Sequence, residues 1–493
     1  MMNTVIAQKI QDFSLDDFRP IVPRDLDLGE PLAPKVGNLV KVVIGMRRSG
    51  KSFRLFQEMD RLLDSGVAPD RVCYFNFEDD RLGHVTASTG DEVLETFFLL
   101  HPQAQDGGVY LFLDELQEMA GWGKWLRRVV DTTKATIYVS GSSSKMLSSE
   151  VSTEFRGRAL DFELLPYSFH EFVRAHGTLK GAARKTIKAD NTSDRKRVTE
   201  VGEVGETGAK GIGSFSRFEA IASHYSTEEQ IRLRRAFSEY LDRGGFPAAQ
   251  SLPAPQAIAL LQSYVQRVVA RDVVERHDIS RPQVVVAFAR RVLGSNGRSV
   301  SLRKIENDLR SAGLDSSRAL LSDVLRYCEE AYLLFALREF SVSLSVNTTS
   351  IPKIYAIDPG LALAYSRASV SDVGQRLEQS VYLELRRRNI GLRRDGISSY
   401  RTQKHGYEVD FVVGDALSRE TYELYQVTVS MDDEQTAQRE LRAIWEMLDE
   451  QDMHEATLIV LDGGLKDYRR GQQVIHQVPA WIWFMEPGPQ PKA

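Results

Sequence analysis

The sequence predicts an α/β protein whose best-defined part is a parallel sheet covered by helices on both faces. Three observations predict it. Strand-like and helix-like segments alternate from residue 37 to about 165. The loop Gly45-Met-Arg-Arg-Ser-Gly50-Lys51-Ser52 joins the first strand to the first helix and fits the phosphate-binding pattern at every fixed position. An apolar run, Val109 to Leu113, ends in the acidic pair Asp114-Glu115.

Each element follows from pattern. Residues 1–36 form an arm in which Pro20, Pro23, Pro31 and Pro34 argue for extended chain with little helix. In the 37–178 sheet domain, strands are expected at Leu39–Ile44, Val72–Phe77, Val109–Leu113, Thr136–Ser140 and Ala159–Leu164. Helices are expected at Ser52–Ser65, Glu92–Leu100, Trp122–Thr133 and Ser144–Glu154. Residues 179–216 change texture. Lys180, Arg184, Lys185, Lys188, Arg195, Lys196 and Arg197 crowd together, and an aperiodic Gly/Glu/Val stretch follows. This reads as a flexible basic insertion, either a solvated loop or a mobile contact to nucleic acid or protein.

Helical periodicity returns over 217–281, at Glu228–Asp242 and Pro255–Glu275. In 282–362, helices at Val284–Leu293, Arg303–Ala312 and Ser316–Glu330 (capped by Asp315) precede strands at Leu333–Phe340 and Lys353–Ile357. Three helices and a hairpin fit a winged helix, in which the third helix often enters the DNA major groove. That helix carries only Arg318 and Arg326 against Asp323, Glu329 and Glu330, so packing onto the sheet domain is at least as good a reading. The last stretch, 363–493, is a second α/β unit. It has a long helix, Gly374–Arg388, strands at Glu408–Val413 and Glu423–Val429, a helix at Glu434–Leu448 and a strand at Ala456–Leu461.

The chemistry sits in the glycine loop. Gly45 and Gly50 let the backbone curl so that its N–H groups point inward, and the helix N-terminus adds its positive end. Lys51 reaches the β- and γ-phosphates of a nucleoside triphosphate, and Ser52 holds Mg²⁺. Gly45, Arg47, Arg48, Ser49, Gly50, Lys51, Ser52 and Phe53 make up the expected nucleotide cradle. The strand before Asp114 brings that acid to the metal shell, and Glu115 polarises the attacking water.

Composition limits the alternatives. A chain of 493 residues exceeds one core, so several domains are expected. A formal charge of −5 does not advertise nucleic-acid binding. The two cysteines, Cys73 and Cys328, stand far apart in apolar settings and read as buried thiols. There is no apolar run long enough to span a membrane, and Met1–Asp17 is mixed and acidic, unlike a secretory or transit peptide. The expectation is a cytoplasmic protein.

Several phrases together resemble one family. They are the Gly45–Ser52 loop, Asp114-Glu-Leu-Gln-Glu-Met-Ala-Gly-Trp122, and Ser140-Gly-Ser-Ser-Ser-Lys145 ahead of Arg156-Gly-Arg158. Leu164-Leu-Pro-Tyr-Ser-Phe169, Gly244-Gly-Phe-Pro247 and Leu377-Glu378 through Arg388 complete the set. The chain resembles the bacterial and archaeal AAA-type P-loop ATPases with a C-terminal domain of unknown function. That C-terminal domain in turn resembles the restriction-endonuclease-like PD-(D/E)xK fold.

The resemblance implies ATP, rather than GTP, as ligand, with Mg²⁺ as cofactor. It implies a γ-phosphate sensor at Ser142, with Ser140 as the fallback, and an arginine finger at Arg158 acting across a subunit boundary. It places Pro247 beside the nucleotide base, at the start of a helical lid. In the nuclease-like part, Glu378 and Asp410 fit the first two acidic positions, but Gln426-Val-Thr428 stands where Asp/Glu-x-Lys is required. Glu408 shares a strand face with Asp410, whereas Glu423 and Gln426 lie on opposite faces. The expected role is an ATP-hydrolysing switch or motor, with DNA, a protein or a second copy as partner and no membrane. The alternatives are an ATP-regulated Mg²⁺-dependent nuclease and a nucleotide-gated binding scaffold.

Overall fold

The structure, a computed structural model, describes residues 3–142, 157–179, 213–340, 351–365, 372–389, 396–415 and 420–486. The expected helix Ser144–Glu154 and the basic insertion fall outside the described residues, except for the ends of the insertion. The chain divides into two compact units. Unit one is Met1–Tyr167, Phe246–Gly294 and Ser301–Phe335; unit two is Ser168–Gly245, Ser295–Val300 and Ala336–Ala493. The backbone therefore passes from one to the other after Tyr167, Gly245, Gly294, Val300 and Phe335. The helices and strands of the 282–362 stretch fall in different units.

Unit one is built on strands β1 (Val40–Gly45), β2 (Val72–Asn76), β3 (Val109–Asp114), β4 (Ala135–Ser142) and β5 (Ala159–Glu163). Their order is β2-β3-β4-β1-β5, and every pairing is parallel. Parallel strands require crossovers, and the helices between them supply these. They are α2 (Lys51–Asp64), α3 (Ala87–Leu100), α4 (Pro102–Gly107) and α5 (Trp122–Thr132). Strands β1, β3 and β4 are buried at every position, which is why each reads as an unbroken apolar run. The α2 residues Leu55, Phe56, Met59 and Leu62 repeat at helical spacing and are all buried against the sheet. Burying each is worth ~1.5–3 kcal/mol.

The arm departs from expectation. Thr4–Asp12 is a helix, α1, because the Asn3 side chain accepts from the Val5 and Ile6 amides and caps it. The prolines govern only the chain after Arg19. Phe13 stacks on Tyr74 at 4.3 Å, and Phe18 packs on Phe56 at 4.5 Å, so the arm is part of the sheet domain's core.

Unit one also holds the helices Ala254–Val268, Pro282–Leu293, Leu302–Ser311 and Arg318–Glu330. The first continues as a π-helical turn, Val269–Glu275. The last is capped by Ser317, whose hydroxyl accepts from the Leu320 amide, and not by Asp315. The backbone enters the helix two residues later than the pattern implies, and the cap moves with it.

In unit two, a mixed six-stranded sheet runs in the order Lys466–Arg470, Gln473–Pro479, Glu455–Val460, Glu420–Thr428, Glu408–Asp415, Ile397–Arg401. The helix Glu434–Glu450 packs Ala443, Ile444, Met447 and Leu448 into its core. Among the described residues, no helix is long and apolar enough to cross a membrane. Cys73 and Cys328 are free and buried, and burial pushes both thiols up to about 12.

Candidate nucleotide-binding site

The loop at the end of β1 has the shape its glycines require. A Cβ on Gly45 would stand 2.2 Å from the Leu164 carbonyl oxygen, so no larger residue fits there. Gly50 has φ +101°, a conformation that glycine adopts without strain. Arg48 takes φ +70° and is exposed. The Lys51 ammonium turns into the loop, donating to the Gly45 and Met46 carbonyls at 3.3 Å each and lying 3.6 Å from Glu115 Oε1.

Three hydroxyls gather on Asp114, which is fully buried. Tyr74 donates to Oδ2 at 2.8 Å, Ser140 donates to Oδ1, and Ser52 bonds the same carboxyl. Burial and the Glu115 charge still push the Asp114 carboxyl up, against those three hydrogen bonds. Glu115 sits in the left-handed region at φ +51°, and its amide donates to Ser140 Oγ at 3.2 Å. Burial works to raise its pKa, but Lys51, Gln117 and Arg47 outweigh that and hold it low and ionised. Two adjacent acids thus have opposite environments: one carboxyl ringed by hydroxyls, the other paired with the loop's cations. Such divergence is typical of catalytic sites.

The residues fit a Mg²⁺-nucleotide. The Ser49 hydroxyl is fully buried and bonds no protein atom, and it stands 3.2 Å from the Gly45 Cβ position, inside the loop's curl. A buried hydroxyl without a protein partner calls for water or a ligand, and inside this curl a phosphate oxygen can fill that place. Ser52 and Asp114, already in contact, supply the oxygen ligands a hard cation takes. A Cβ on Gly50 would stand 3.8 Å from Pro247 Cγ, so Pro247 lies against the loop. Phe53 is 43% exposed in the first turn of α2, edge-on to Phe18 and Phe56.

Ser140, the fallback sensor, is the serine that touches the acidic pair. Ser142 is buried opposite Gly45 in the β4–β1 register. Arg158 is not brought to this loop. Its neighbour Ala159 pairs with Val40, at the other end of β1 from Gly45, roughly 17 Å away at strand rise. The Arg158 guanidinium bonds Asp131 on α5.

Among the residues here that the sequence reading missed, Arg24 and Asp272 bear most on the loop. Arg24, in the arm, is buried and donates to the Ser49 carbonyl at 2.8 Å and the Leu165 carbonyl at 2.6 Å. Its guanidinium also lies 5.0 Å from the centre of the Tyr167 ring. Asp272, on the π-helical turn, faces Arg47. Neither carries a motif, since each acts through a long-range contact.

A second polar cluster lies in unit two. The strands Arg298–Ser299 and Lys353–Ala356 pair antiparallel, and Lys353 projects its ammonium among three acids. It lies 2.9 Å from Glu378, 2.6 Å from Glu408 and 3.5 Å from Asp410. Tyr355 donates to Glu378 at 2.5 Å. Gln426 accepts from the Asp410 amide and donates to Glu440 at 2.6 Å. Lys353, from a strand other than the one holding Gln426-Val-Thr428, is the counter-ion of these carboxylates. Among the described residues no group of His, Cys, Asp and Glu forms a metal site.

Comparisons with known proteins agree with the loop. Residues 37–173 match the AAA domain family, and residues 234–372 match a domain of unknown function (DUF8612). This part of the chain is therefore similar to AAA-type P-loop ATPases. The domain of unknown function follows the AAA domain, as the resemblance implies, and its match ends before the six-stranded sheet. An uncharacterized protein of Methanocaldococcus jannaschii is 28% identical over 473 residues, 94% of this chain and 91% of its own length. One from Haemophilus influenzae is 23% identical over 374 residues, 76% of this chain and 81% of its own. Among solved structures, the Walker-type ATPase of Pyrococcus abyssi aligns with a TM-score of 0.38 at 14% identity, covering 71% of this chain and 99% of that one. The Aeropyrum pernix ORC1 protein, solved in complex with DNA, aligns at 0.24 and 15% identity, covering 71% and 90%. These two likenesses are low, and the reading of the sheet domain rests on the family match and the loop.

Proposed function

We propose that this chain is an ATP-hydrolysing switch. The observation that carries the reading is the meeting of Lys51, Ser52, Asp114 and Glu115 at one end of a parallel sheet. In this reading the loop amides, Lys51 and the Ser49 hydroxyl bind the phosphates, and Ser52 and Asp114 hold Mg²⁺. Pro247 and Phe53 border the base, and Ser140 or Ser142 senses the γ-phosphate. Bound Mg²⁺ would neutralise phosphate charge. Glu115, kept ionised beside Lys51, takes up or orients the proton of the attacking water. Arg158 can serve as a finger only for a second copy, since it stands away from its own loop.

DNA is the weaker part of the proposal. On the helix Arg318–Glu330, Arg326 is paired with Glu330 at 2.9 Å and Asp323 at 3.3 Å, and Arg318 lies 3.9 Å from Glu306. A reading helix needs free cations for phosphate. We keep the endonuclease-like reading of unit two for its fold and not for cleavage, because Lys353 is already ion-paired with Glu378, Glu408 and Asp410.

The test is steady-state ATP hydrolysis by the full chain, with and without duplex and single-stranded DNA. Glu115→Gln should bind ATP and lose turnover by about 10²-fold or more. Lys51→Ala should lose nucleotide binding. Unchanged nucleotide binding in Lys51→Ala would overturn the proposal. DNA-stimulated turnover would make DNA the partner, and indifference to DNA would point to protein.

A further inference from the structure

The phosphate loop is tied to the helical part of unit one by a chain of alternating charges. Arg47 lies within the loop and is only 11% exposed in its side chain. Its guanidinium faces Glu78 at 3.0 Å, Glu118 at 3.4 Å and Asp272 at 3.4 Å. Glu78 in turn lies 3.9 Å from Arg271, the residue before Asp272. Two consecutive residues of the π-helical turn Val269–Glu275 thus close a ring, Arg271–Glu78–Arg47–Asp272, over the loop.

The Asp272 link is a long ion pair: Arg47 Nε, which is buried, stands 3.4 Å from Asp272 Oδ2 and makes no well-formed hydrogen bond. Asp272 is itself 6% exposed, and burial pushes its carboxyl up against the pull of Arg47 and Lys51. A buried ion pair without good geometry repays little of its desolvation. A better anion for the same cations would displace it. Nucleotide phosphate is such an anion, because the loop amides and Lys51 bind it as well. Room for movement exists beside the ring, in a cavity of about 640 Å³ lined by Glu78, Asp79, Glu118 and Arg271. The element carrying Asp272 is a π-helical turn, a departure from the α-helix of the kind that recurs at functional sites.

We propose that Asp272 is a positioning residue that competes with nucleotide phosphate for Arg47, so that binding releases the turn Val269–Glu275 and reports the nucleotide to the helices on either side. The inference rests on the ATP-site reading above. It identifies the moving element of the switch.

The experiment compares the full-length wild type with Asp272→Asn and Lys51→Ala, using calorimetric titration with Mg²⁺-ATP and amide hydrogen exchange. Asp272→Asn removes the competing charge and should bind Mg²⁺-ATP about tenfold more tightly, the effect of one partly buried charge pair. In the wild type, amides of residues 269–275 should exchange faster when Mg²⁺-ATP is added. In Asp272→Asn they should exchange fast without it. Equal or weaker binding by Asp272→Asn overturns the proposal while leaving the ATP site standing. If that variant fails to fold, the wild-type exchange decides, and unchanged protection of 269–275 on saturation overturns the proposal. A folded wild type that binds no Mg²⁺-ATP overturns the ATP site itself, and the Asp272 competition with it.

Discussion

Replacing Arg24 by alanine isolates the arm's contribution to the phosphate loop. The side chain donates two hydrogen bonds to backbone carbonyls, those of Ser49 at 2.8 Å and Leu165 at 2.6 Å. Hydrogen bonds from a charged donor contribute ~1.5–3 kcal/mol each, and truncation leaves both carbonyls without that donor. Because the two share one guanidinium they do not add fully, and the loss should be about 3–4 kcal/mol. At ~2–4 °C per kcal/mol for a unit of this size, unit one should melt about 10 °C lower. Ser49 and Gly50 lie inside the loop, so the cradle also loses its fixed shape. Affinity for Mg²⁺-ATP should fall by about tenfold to a hundredfold as preorganisation is lost. Arg24→Lys keeps the charge but reaches one carbonyl at a time, so it should recover roughly half of each effect. Melting curves and nucleotide titration on the same preparations measure both quantities. A melting point within about 2 °C of wild type, with unchanged affinity, would refute the reasoning. It would show that the two carbonyls do not depend on Arg24.

Two further outcomes concern unit two. Lys353→Met removes the cation shared by Glu378, Glu408 and Asp410, and should cost about 3–5 kcal/mol at neutral pH. The loss should shrink as pH falls, because burial and the Glu378 charge push the Asp410 carboxyl up and it takes up a proton, and a pH-independent loss in thermal melts would contradict this. Asp358 accepts from the Gly245 amide at 2.6 Å and the Leu361 amide at 3.0 Å, yet burial pushes its carboxyl up to about 6. The folded chain therefore holds this proton more tightly than the unfolded one, a contribution complete below about pH 4 and lost as pH rises through 6. Between pH 4 and 8, the stability of wild type relative to Asp358→Asn should fall by about 3 kcal/mol. A flat difference across that range would show that Asp358 ionises without penalty.

The local parts of the fold were legible, and the long-range parts were not. Strands β1 and β3 announced themselves as apolar runs because both faces are covered, and the glycine loop and the Asp114-Glu115 pair are contiguous in sequence. Helix α1 was missed because its signal is one cap residue, Asn3, followed by proline-rich chain that argues for the opposite. The Asp315 cap was misplaced by two positions because Asp315, Ser316 and Ser317 are all capping types, and only backbone geometry chooses among them. Arg24 lies 25 residues before the carbonyl it bonds, and Lys353 lies 25 residues before Glu378. No periodicity reports such contacts. The strands Lys466–Arg470 and Gln473–Pro479 were also missed, since the first is highly charged and lies at the sheet's edge.

The route of the backbone bears on how this chain is made. Unit one is unfinished when a ribosome has produced its five strands, because its helices end only at residue 330 and unit two begins in between. Vectorial synthesis therefore cannot deliver one finished domain before starting the next. The apolar faces of the early strands and helices must wait for about as much chain again, a period in which nascent protein is open to chaperones and to aggregation. The same threading means that proteolytic nicking in the link after Tyr167 would not release a self-sufficient N-terminal fragment, since the helices from Ala254 onward belong to the same folded body.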